Sequence, residues 1–271
     1  MTPTLSILIP CFDYDCSGLV ADLQRKGDEE GISLEIIVGD DTLTRLGRAR
    51  NCNRLAEQAS GEWLLIVDCD AAMPPAFSLR KYVEAGRQAP VVCGGLYHPD
   101  VNPCPEATLR FKYERKADLR RAARFRQEHP YAQLSTFSLL VRRETFLAIR
   151  FDEACVEYGY EDTLFGAELV RRGIPIMHID NPLIHTGLEP NAIFLAKTET
   201  AMRTLHRLEQ KLRGHSHLLS AVDRLQRLHL CGLIRCCWRL FRKPMRANLL
   251  GKHPSLFFFS VYKLGFFLCL R

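Results

Sequence analysis

The sequence lacks the features of a membrane-spanning protein and of a disulfide-linked scaffold. No uninterrupted apolar run reaches the roughly 18 residues that typify a membrane span, because Lys263 interrupts the closest candidate, SLFFFSVYKLGFFLCL. The opening MTPTLSILIP has no basic segment and only a short apolar run, so we expect no signal peptide. The 11 cysteines are an odd number without a CxxC pair, and we interpret them as reduced, mostly buried thiols of a cytosolic protein.

Charge is distributed unevenly along the 271 residues. Residues 201–271 hold 14 Lys and Arg but 2 Asp and Glu, whereas residues 1–200 carry a small excess of acidic side chains. The net charge of +6 therefore arises from the C-terminal quarter. This asymmetry indicates an acidic catalytic body with a basic attachment surface.

Short apolar runs alternate with helix-like segments over the first hundred residues. Strands are predicted at residues 5–11 and 34–41, within WLLIVDCD, and within APVVCGGLYH. Helices are predicted at residues 16–26 and 45–59, and in PPAFSLRKYVEAGR, where proline would open the helix. Continuously apolar strands that alternate with helices predict an α/β fold, with a buried and mostly parallel sheet flanked by helices.

The later segments predict further elements and a division of the chain. Residues 106–128 are polar and Arg-rich and predict helix, and LSTFSLLVRRETFLAIRF predicts a strand and a short helix. VEYGYEDTLFGAELVRRG predicts a turn followed by a helix that ends at Gly173, and IPIMHIDNPLIHTG predicts a strand and a loop. Long helical stretches with many arginines follow residue 190. We therefore predict an α/β domain over residues 1–190 and a helical, basic extension over residues 191–271.

Asp68 and Asp70 follow the apolar strand WLLIV directly, and Asp40 and Asp41 end the preceding predicted strand. Parallel sheets bind ligands beyond the carboxyl ends of their strands. Two carboxylates two residues apart can hold a divalent cation such as Mg²⁺ or Mn²⁺, which often shares phosphate oxygens of the substrate. The alternative is that Asp70 caps the following helix while Asp68 faces water, and a DxD pattern alone is frequent by chance.

Two further sites carry candidate functional side chains. Asp162, in YGYED, stands where a helix would begin, so it is a candidate N-cap residue. It is equally a candidate general base, because the N–H groups of a helix N-terminus would keep its carboxylate ionised. His185, in the loop NPLIHTG, is a candidate metal ligand, whereas His178 lies in an apolar strand and fits a structural role.

In their order and separation, these segments resemble the family 2 glycosyltransferases of the GT-A fold, and in particular a bacterial branch with a YGxED signature. The segments that carry the resemblance are PCFD, IIVGDD, GRARNCNRLAEQASGEWLLIVDCD, FDEACVEYGYEDTLFGAEL and IHTG. The resemblance covers about residues 3–190, and the remainder resembles the helical extension of that branch. The family usually has Tyr-Asn where this chain has Phe12-Asp13.

The resemblance implies a role for each matching residue. Asp68 would meet the ribose or the metal, Asp70 would bind a metal that bridges the donor's diphosphate, and His185 would complete the metal site. Asp162 would be the catalytic base, and Glu161 beside it would help to bind the acceptor. The donor-nucleotide pocket would be formed by Pro10, Phe12, Asp40, Arg50 and Asn51, together with Asp68.

The resemblance also implies an activity. It is that of an inverting glycosyltransferase that depends on Mn²⁺ or Mg²⁺, with a nucleotide-sugar donor, a UDP-sugar being favoured, and a glycan or lipid-linked acceptor. Asp162 would take the proton of the acceptor hydroxyl as its oxygen attacks the anomeric carbon opposite the diphosphate. The implied setting is bacterial polysaccharide or glycolipid biosynthesis, in the cytoplasm and peripherally on the inner face of the cytoplasmic membrane.

Two other functions compete with this one. A sugar-1-phosphate nucleotidyltransferase shares a related core, but LSILIPCFDYD lacks the Gly-rich loop and the basic residue for a triphosphate. A non-enzymatic module could bind nucleic acid or membrane through residues 201–271. The clustered carboxylates of the first domain would repel nucleic-acid phosphates without a metal, so no nucleic-acid partner is expected.

The C-terminal quarter contains HLLSAVDRLQRLHLCGLIRCCWRLFRKPMR, whose arginines recur near one helical stripe. They are Arg224, Arg227, Arg235, Arg239, Arg242 and Arg246. A basic amphipathic helix of this kind suits an anionic membrane surface, into which the apolar tail at 255–270 could insert shallowly. The alternative is a solvated arginine face and a tail packed on the catalytic domain.

Overall fold

The computed structural model describes residues 4–271, and in this part the chain forms nine strands and twelve helices. The strands are β1 (Leu5–Cys11), β2 (Leu34–Asp40), β3 (Trp63–Val67), β4 (Ala71–Ala72), β5 (Val91–Cys93), β6 (Leu96–Tyr97), β7 (Ser138–Arg142), β8 (Ile176–His178) and β9 (Leu183–His185). The helices are α1 (Ser17–Glu30), α2 (Arg48–Gln58), α3 (Leu79–Gly86), α4 (Thr108–Asp118), α5 (Ala123–Gln127), α6 (Arg143–Ile149), α7 (Glu161–Arg171), α8 (Asn191–Arg207), α9 (Glu209–Leu212), α10 (His217–Arg227), α11 (Cys231–Leu250) and α12 (Leu256–Leu270).

The central sheet has the strand order β2-β1-β3-β7-β5-β8. β1 pairs in parallel with β2 and β3, and β5 pairs in parallel with β8, whereas β7 runs antiparallel between β3 and β5. β1 and β3 are buried along their whole length, which is why their sequences are almost continuously apolar. The mostly parallel sheet flanked by helices confirms the predicted α/β class.

A small second sheet, in the order β4-β9-β6, was not predicted as such. The predicted strand APVVCGGLYH divides into β5 and β6, one in each sheet. Gly95 between them has a φ of 92°, in the left-handed region that favours glycine, so the backbone turns there. His185 ends β9 and does not lie in a loop, because β9 pairs with β4 on one side and β6 on the other.

The helix predictions are correct in position but differ at their ends. α3 begins at Leu79, and the prolines at positions 74 and 75 lie in the loop before it. Its N-cap is Ser78, whose hydroxyl accepts the N–H of Lys81. Proline therefore does not open this helix, because a serine supplies the hydrogen bond that a helix N-terminus needs.

The C-terminal helices share the hydrophobic core of the sheet. Leu219 and Phe267 pack in the same buried cluster as Ile66 of β3. In another cluster, Trp238 of α11 packs with Phe194 of α8. Residues 191–271 thus pack against the rest of the chain, and the boundary at residue 190 stays a prediction.

Membrane and cysteine predictions can be compared with the described part of the chain. None of its helices combines the length and the apolar character that crossing a membrane requires. All 11 cysteines lie in this part and are free thiols, of which five are buried, four partly buried and two exposed.

Candidate active site

The carboxyl ends of β2, β1 and β3 meet at one edge of the central sheet, because these strands are parallel neighbours. A cleft of about 710 Å³ opens at this edge. Six residues that the sequence singled out line it: Pro10, Phe12, Asn51, Asp68, Asp70 and Glu161. A strand end, loops and helices supply these side chains, so the fold brings distant segments of the chain together where parallel sheets bind ligands.

The small sheet holds Asp70 and His185 side by side. His185 pairs with Ala71, and the N–H and the hydroxyl of Thr186 both donate to the Asp70 carbonyl, at 3.0 and 2.7 Å. Nε2 of His185 lies 3.0 Å from Oδ2 of Asp70. Burial raises the pKa of Asp70, but the neighbouring His185 and Arg110 outweigh burial and hold that pKa below its ordinary value. Asp70 is therefore an ionised carboxylate beside an imidazole.

Asp70 and His185 fit a divalent cation as two of its ligands. Two ligand atoms that each lie about 2.1 Å from a cation, at roughly right angles, are about 3 Å apart, which matches this pair. Within residues 4–271, no cluster of three or more His, Cys, Asp or Glu side chains could hold a metal ion by itself. A cation here would take its remaining ligands from water and from phosphate oxygens of a bound substrate, the usual pattern for Mg²⁺.

Arg48, the first residue of α2, engages Asp68. Its Nη2 and Nε lie 2.5 and 3.2 Å from Oδ1 of Asp68, and Nη2 also donates to the carbonyl of Thr136 at 3.2 Å. Its Nη1 is buried with no hydrogen-bond partner among the described residues and lies 3.7 Å from Oε1 of Glu161. Arg48 thus links the DxD pair to the ED pair. One Asp68 oxygen is occupied by the guanidinium, and the role of Asp68 as a metal ligand stays a prediction.

The ED pair opens α7. Tyr160, with a φ of 74°, is the N-cap residue, so Asp162 lies in the first turn and does not cap the helix. Oδ1 of Asp162 accepts the N–H of Thr163 at 2.7 Å. Burial nevertheless raises the pKa of both Glu161 and Asp162, because the positive charge of Arg48 and the hydrogen bonds to Asp162 only partly offset it. Burial therefore has a larger effect on the pKa of Asp162 than the helix N-terminus, contrary to the prediction from the sequence. A raised pKa makes either carboxylate a better proton acceptor.

Glu161 and Asp162 differ in their position relative to the cleft. Glu161 lines it, whereas Asp162 lies one residue further along α7, outside the lining. The base role of Asp162 and the acceptor role of Glu161 stay predictions.

Besides Asp68, three predicted nucleotide-binding residues line the cleft. The ring of Phe12 is 55% exposed and is available to stack on a base, and Pro10 lies beside it at the end of β1. Asn51 is buried, and its Nδ2 donates to the carbonyl of Gly39 at 2.6 Å. Asn51 thus fastens α2 to the end of β2, and Phe12 is the side chain of this group that is free to contact a ligand.

Asp40 and Arg50 lie outside the cleft lining. Asp40 lines an adjoining groove, and its carboxylate accepts the N–H and the hydroxyl of Thr42. Arg50 is half exposed and donates to Glu153 at 3.0 Å. The structure therefore does not bring these two side chains together with the rest of the predicted pocket, and their nucleotide contacts stay predictions.

Several cleft residues were missed by reasoning from the sequence. They are Arg48, Tyr158, Glu189 and Lys197, whereas Asp41, which the sequence placed at a strand end, lines the cleft as well. Lys197 pairs with Glu189 and also lies 5.4 Å from the centre of the Tyr158 ring. Arg48 could have been suspected, since a basic residue two positions before Arg50 in GRARN is a possible partner for the DxD acids. The other residues belong to segments that lie close to the cleft, but no spacing pattern in the sequence indicates this.

Gly187, of the IHTG segment, lies directly against the Asp70 carboxylate. A Cβ atom at this position would lie 2.0 Å from Oδ2 and 2.8 Å from Cγ of Asp70, far inside van der Waals contact. We predict that Gly187→Ala displaces the Asp70 carboxylate and weakens Mn²⁺ binding in the presence of UDP by about 10–100-fold, as for other changes that disturb a metal ligand. Isothermal titration with Mn²⁺ measures this effect.

Gly232→Ala is the matched control, because a Cβ atom there meets no atom within 4 Å. It should leave Mn²⁺ affinity unchanged. Unchanged affinity in Gly187→Ala would show that the Asp70 carboxylate is not required at its present position.

Comparison with known proteins relates the chain to one protein family and to one fold. Residues 24–146 match the family model described as glycosyl transferase family 2, so the chain is similar to that family over this segment. No curated protein sequence matches the chain.

Solved structures show the same fold. Mannosyl-3-phosphoglycerate synthase from Rubrobacter xylanophilus matches with a TM-score of 0.51 and 15% identity, over 78% of this chain and 75% of that chain. A Drosophila β1,4-galactosyltransferase 7 mutant, in complex with manganese, UDP-Gal and xylobiose, matches with a TM-score of 0.43 and 16% identity, over 68% of each chain. With the sheet topology, the match to mannosyl-3-phosphoglycerate synthase confirms the predicted GT-A architecture with a helical C-terminal part.

Proposed function

We propose that the chain is an inverting, metal-dependent glycosyltransferase that moves a sugar from a nucleotide-sugar donor to an acceptor hydroxyl. The observation that carries this proposal is the cleft at the carboxyl edge of the sheet, which Asp70 and Glu161 line from separate elements, with His185 3.0 Å behind Asp70 and Asp162 next to Glu161 on α7. The family match over residues 24–146 and the GT-A fold support glycosyl transfer.

The donor would occupy the part of the cleft between Phe12 and Asp70. The exposed ring of Phe12 would stack on the base, a uracil if the donor is a UDP-sugar. Asp70 and His185 would hold the divalent cation, Mn²⁺ or Mg²⁺, which when bound supplies Lewis-acid stabilisation of the departing diphosphate. Arg48 is held by Asp68 on the other side of the nucleotide-sugar from the cation. Its Nη1, which has no hydrogen-bond partner among the described residues, would donate to the nucleotide-sugar.

The acceptor would enter from the side of α7. Asp162 would take the proton of the acceptor hydroxyl as its oxygen attacks the anomeric carbon, and Glu161 would help to hold the acceptor. Because the diphosphate leaves on the side of Asp70 and attack comes from the side of α7, the displacement is in line and inverts the configuration. Tyr158 and Lys197, at the same end of the cleft, are available for sugar hydroxyls and ring faces.

The reaction is tested by incubating UDP-, GDP- and dTDP-sugars with the protein, with Mn²⁺, with Mg²⁺ and with EDTA. We expect donor hydrolysis or transfer that needs the divalent cation, with a UDP-sugar preferred and with inverted anomeric configuration in the product's ¹H NMR spectrum. Retained configuration, or activity that EDTA leaves unchanged, would contradict the mechanism. Pyrophosphate release from a nucleoside triphosphate would instead support a nucleotidyltransferase.

The C-terminal helices suit an anionic membrane surface, as an acceptor linked to a lipid would require in polysaccharide or glycolipid assembly. Leu233, Leu240 and Phe241 of α11 are 59%, 69% and 56% exposed, and their spacing places them on one helix face. Arg239 and Arg242, beside them on the same helix, are exposed as well. Apolar side chains flanked by arginines match the boundary between acyl chains and anionic headgroups.

We predict that the protein co-sediments with phosphatidylglycerol vesicles at low salt, and less with phosphatidylcholine vesicles. The double substitution Leu240→Ser and Phe241→Ser should lower binding about tenfold or more, because burying each side chain is worth about 1.5–3 kcal/mol. The matched control is Val101→Ser with Leu119→Ser, which changes two side chains that are each 79% exposed elsewhere. Equal loss in both pairs, or no binding by the wild type, would contradict membrane attachment through α11.

A further inference from the structure

Four side chains form a row that runs from the cleft into the interior: Asp70, His185, His98 and Asp118. Nδ1 of His185 lies 3.0 Å from Nε2 of His98, and Nδ1 of His98 lies 3.1 Å from Oδ1 of Asp118. The backbone N–H of His98 also donates to Oδ2 of Asp118, at 3.3 Å. His98 is completely buried and His185 is 6% exposed.

The small sheet explains the alignment of these residues. β6 runs in register with β9, with Leu96 opposite Leu183 and Tyr97 opposite Ile184, so His98 comes opposite His185. The last residue of α4, Asp118, supplies the carboxylate at the end of the row.

Asp118 determines which ring nitrogens carry hydrogen. Burial raises its pKa, but the hydrogen bond from His98 and the charge of Arg121 outweigh burial and keep that pKa below its ordinary value. A carboxylate only accepts, so Nδ1 of His98 donates to it. A cation at the Asp70 site would take the lone pair on Nε2 of His185, and the hydrogen of that ring would then be on Nδ1. Nε2 of His98, 3.0 Å away, is placed to accept that hydrogen.

Of the carboxylates around His98, Asp118 is the one at hydrogen-bond distance from its ring. Arg121 pairs with Asp118 at 2.8 Å and with Glu114 at 2.7 Å, and Arg115 adds a second positive charge at 3.5 Å from Asp118. Arg115 also pairs with Asp100, at 3.0 Å, so these two arginines serve three carboxylates. The nearest Glu114 oxygen is 3.8 Å from Nε2 of His98, beyond hydrogen-bond distance.

Arg110 contacts His185 from the cleft side. Its Nη2 lies 3.4 Å from Nε2 of His185, and a guanidinium has donors only, so this nitrogen can accept from it only when it carries no hydrogen. Oδ2 of Asp70, also an acceptor, lies 3.0 Å from the same nitrogen. Without a cation, an Nε2–H of His185 donates to this oxygen, and a bound cation would take the place of that hydrogen.

We propose that His98 and Asp118 are positioning residues that fix His185 in the Nδ1–H tautomer and so direct its Nε2 lone pair toward the cation site at Asp70. This inference rests on the proposed metal-dependent function. Hydrogen-bond partners behind a metal-bound imidazole usually change metal affinity by about 10–100-fold when they are removed.

The test is Mn²⁺ affinity in the presence of UDP, measured by the EPR signal of free Mn²⁺. His98→Phe keeps an aromatic ring but removes the acceptor, and we expect it to weaken Mn²⁺ binding about 10–100-fold. His98→Gln, whose carbonyl oxygen can accept the Nδ1–H of His185, should stay within a few-fold of the wild type. The matched control is His178→Gln, which changes another buried histidine, held by Arg126 and the Pro130 carbonyl away from the cleft.

A second readout does not depend on the metal. The ¹⁵N shifts of His98 in the metal-free wild type should show hydrogen on Nδ1, and Asp118→Asn should shift that ring toward the Nε2–H form. Equal Mn²⁺ affinity in His98→Phe and wild type, or a wild-type His98 without hydrogen on Nδ1, would overturn the inference. If the wild type binds no Mn²⁺ with UDP present, the metal dependence of the proposed function fails, and the ¹⁵N shifts still decide the tautomer.

Discussion

Asp162→Asn is expected to lower kcat for sugar transfer by about 10²–10⁴-fold, the usual contribution of general acid–base catalysis. The amide keeps the shape of the side chain and can still accept the N–H of Thr163, but it cannot take the proton of the acceptor hydroxyl. The donor KM should change little, because the change is on the acceptor side. Initial rates measured at several donor and acceptor concentrations separate these effects.

The neighbouring carboxylate provides the decisive comparison. Glu161→Gln should mainly raise the acceptor KM, since Glu161 lines the cleft and is proposed to hold the acceptor. The matched control is Glu168→Gln on the same helix, where the carboxylate pairs with Arg171 and Arg172 at the surface and should leave the rate unchanged. If Glu161→Gln abolishes kcat while Asp162→Asn does not, the base is Glu161.

The pH dependence follows from the burial of Asp162. Since its pKa is raised above the ordinary value of about 3.9, kcat should fall on acidification at a higher pH than for an exposed aspartate. Deprotonating this buried carboxyl also costs folding free energy, so its stabilising contribution is present at low pH and is lost as pH rises through the raised pKa. Asp162→Asn should therefore gain thermal stability relative to the wild type as pH rises, while it loses activity.

Asp70→Asn is expected to lower kcat by about 10²–10³-fold, the range seen when one group that stabilises developing charge is removed. The neutral amide removes the charge that would hold the cation near the leaving diphosphate, while the backbone contacts of Thr186 to the Asp70 carbonyl remain. The Mn²⁺ concentration for half-maximal activity should rise in parallel. Rates measured over a Mn²⁺ series test both effects.

Asp100→Asn is the matched control for Asp70→Asn, because its carboxylate is 91% exposed. It should have wild-type rates at every Mn²⁺ concentration. Full activity of a folded Asp70→Asn protein would show that catalysis needs no cation at Asp70.

The sheet could be predicted from the sequence because each strand is stabilised by its own run of apolar residues. Such a run is recognisable in the sequence without knowledge of the neighbouring strands. The positions of Asp68 and Asp70 followed from the same reasoning, since the strand before them is buried throughout. The helix that opens at the ED pair was predicted for a similar local reason, although the N-cap is Tyr160.

The remaining features depend on contacts between distant segments. The row behind His185 requires β6 and β9 to pair, although His98 and His185 are 87 residues apart in sequence. The raised pKa of Asp162 depends on burial, which the local helix-terminus argument did not include. Arg50 was favoured over Arg48 by family likeness, yet the ion pair with Asp68 belongs to Arg48, and the three-dimensional arrangement decides which arginine reaches the cleft.

The most direct measurement is an anomalous difference map from crystals grown with Mn²⁺ and UDP. The account predicts a Mn²⁺ peak about 2.1–2.2 Å from both Oδ2 of Asp70 and Nε2 of His185, with diphosphate oxygens completing the coordination and the uracil near Phe12. UDP bound in the cleft with no anomalous peak at the Asp70–His185 pair, or a peak elsewhere, would contradict it.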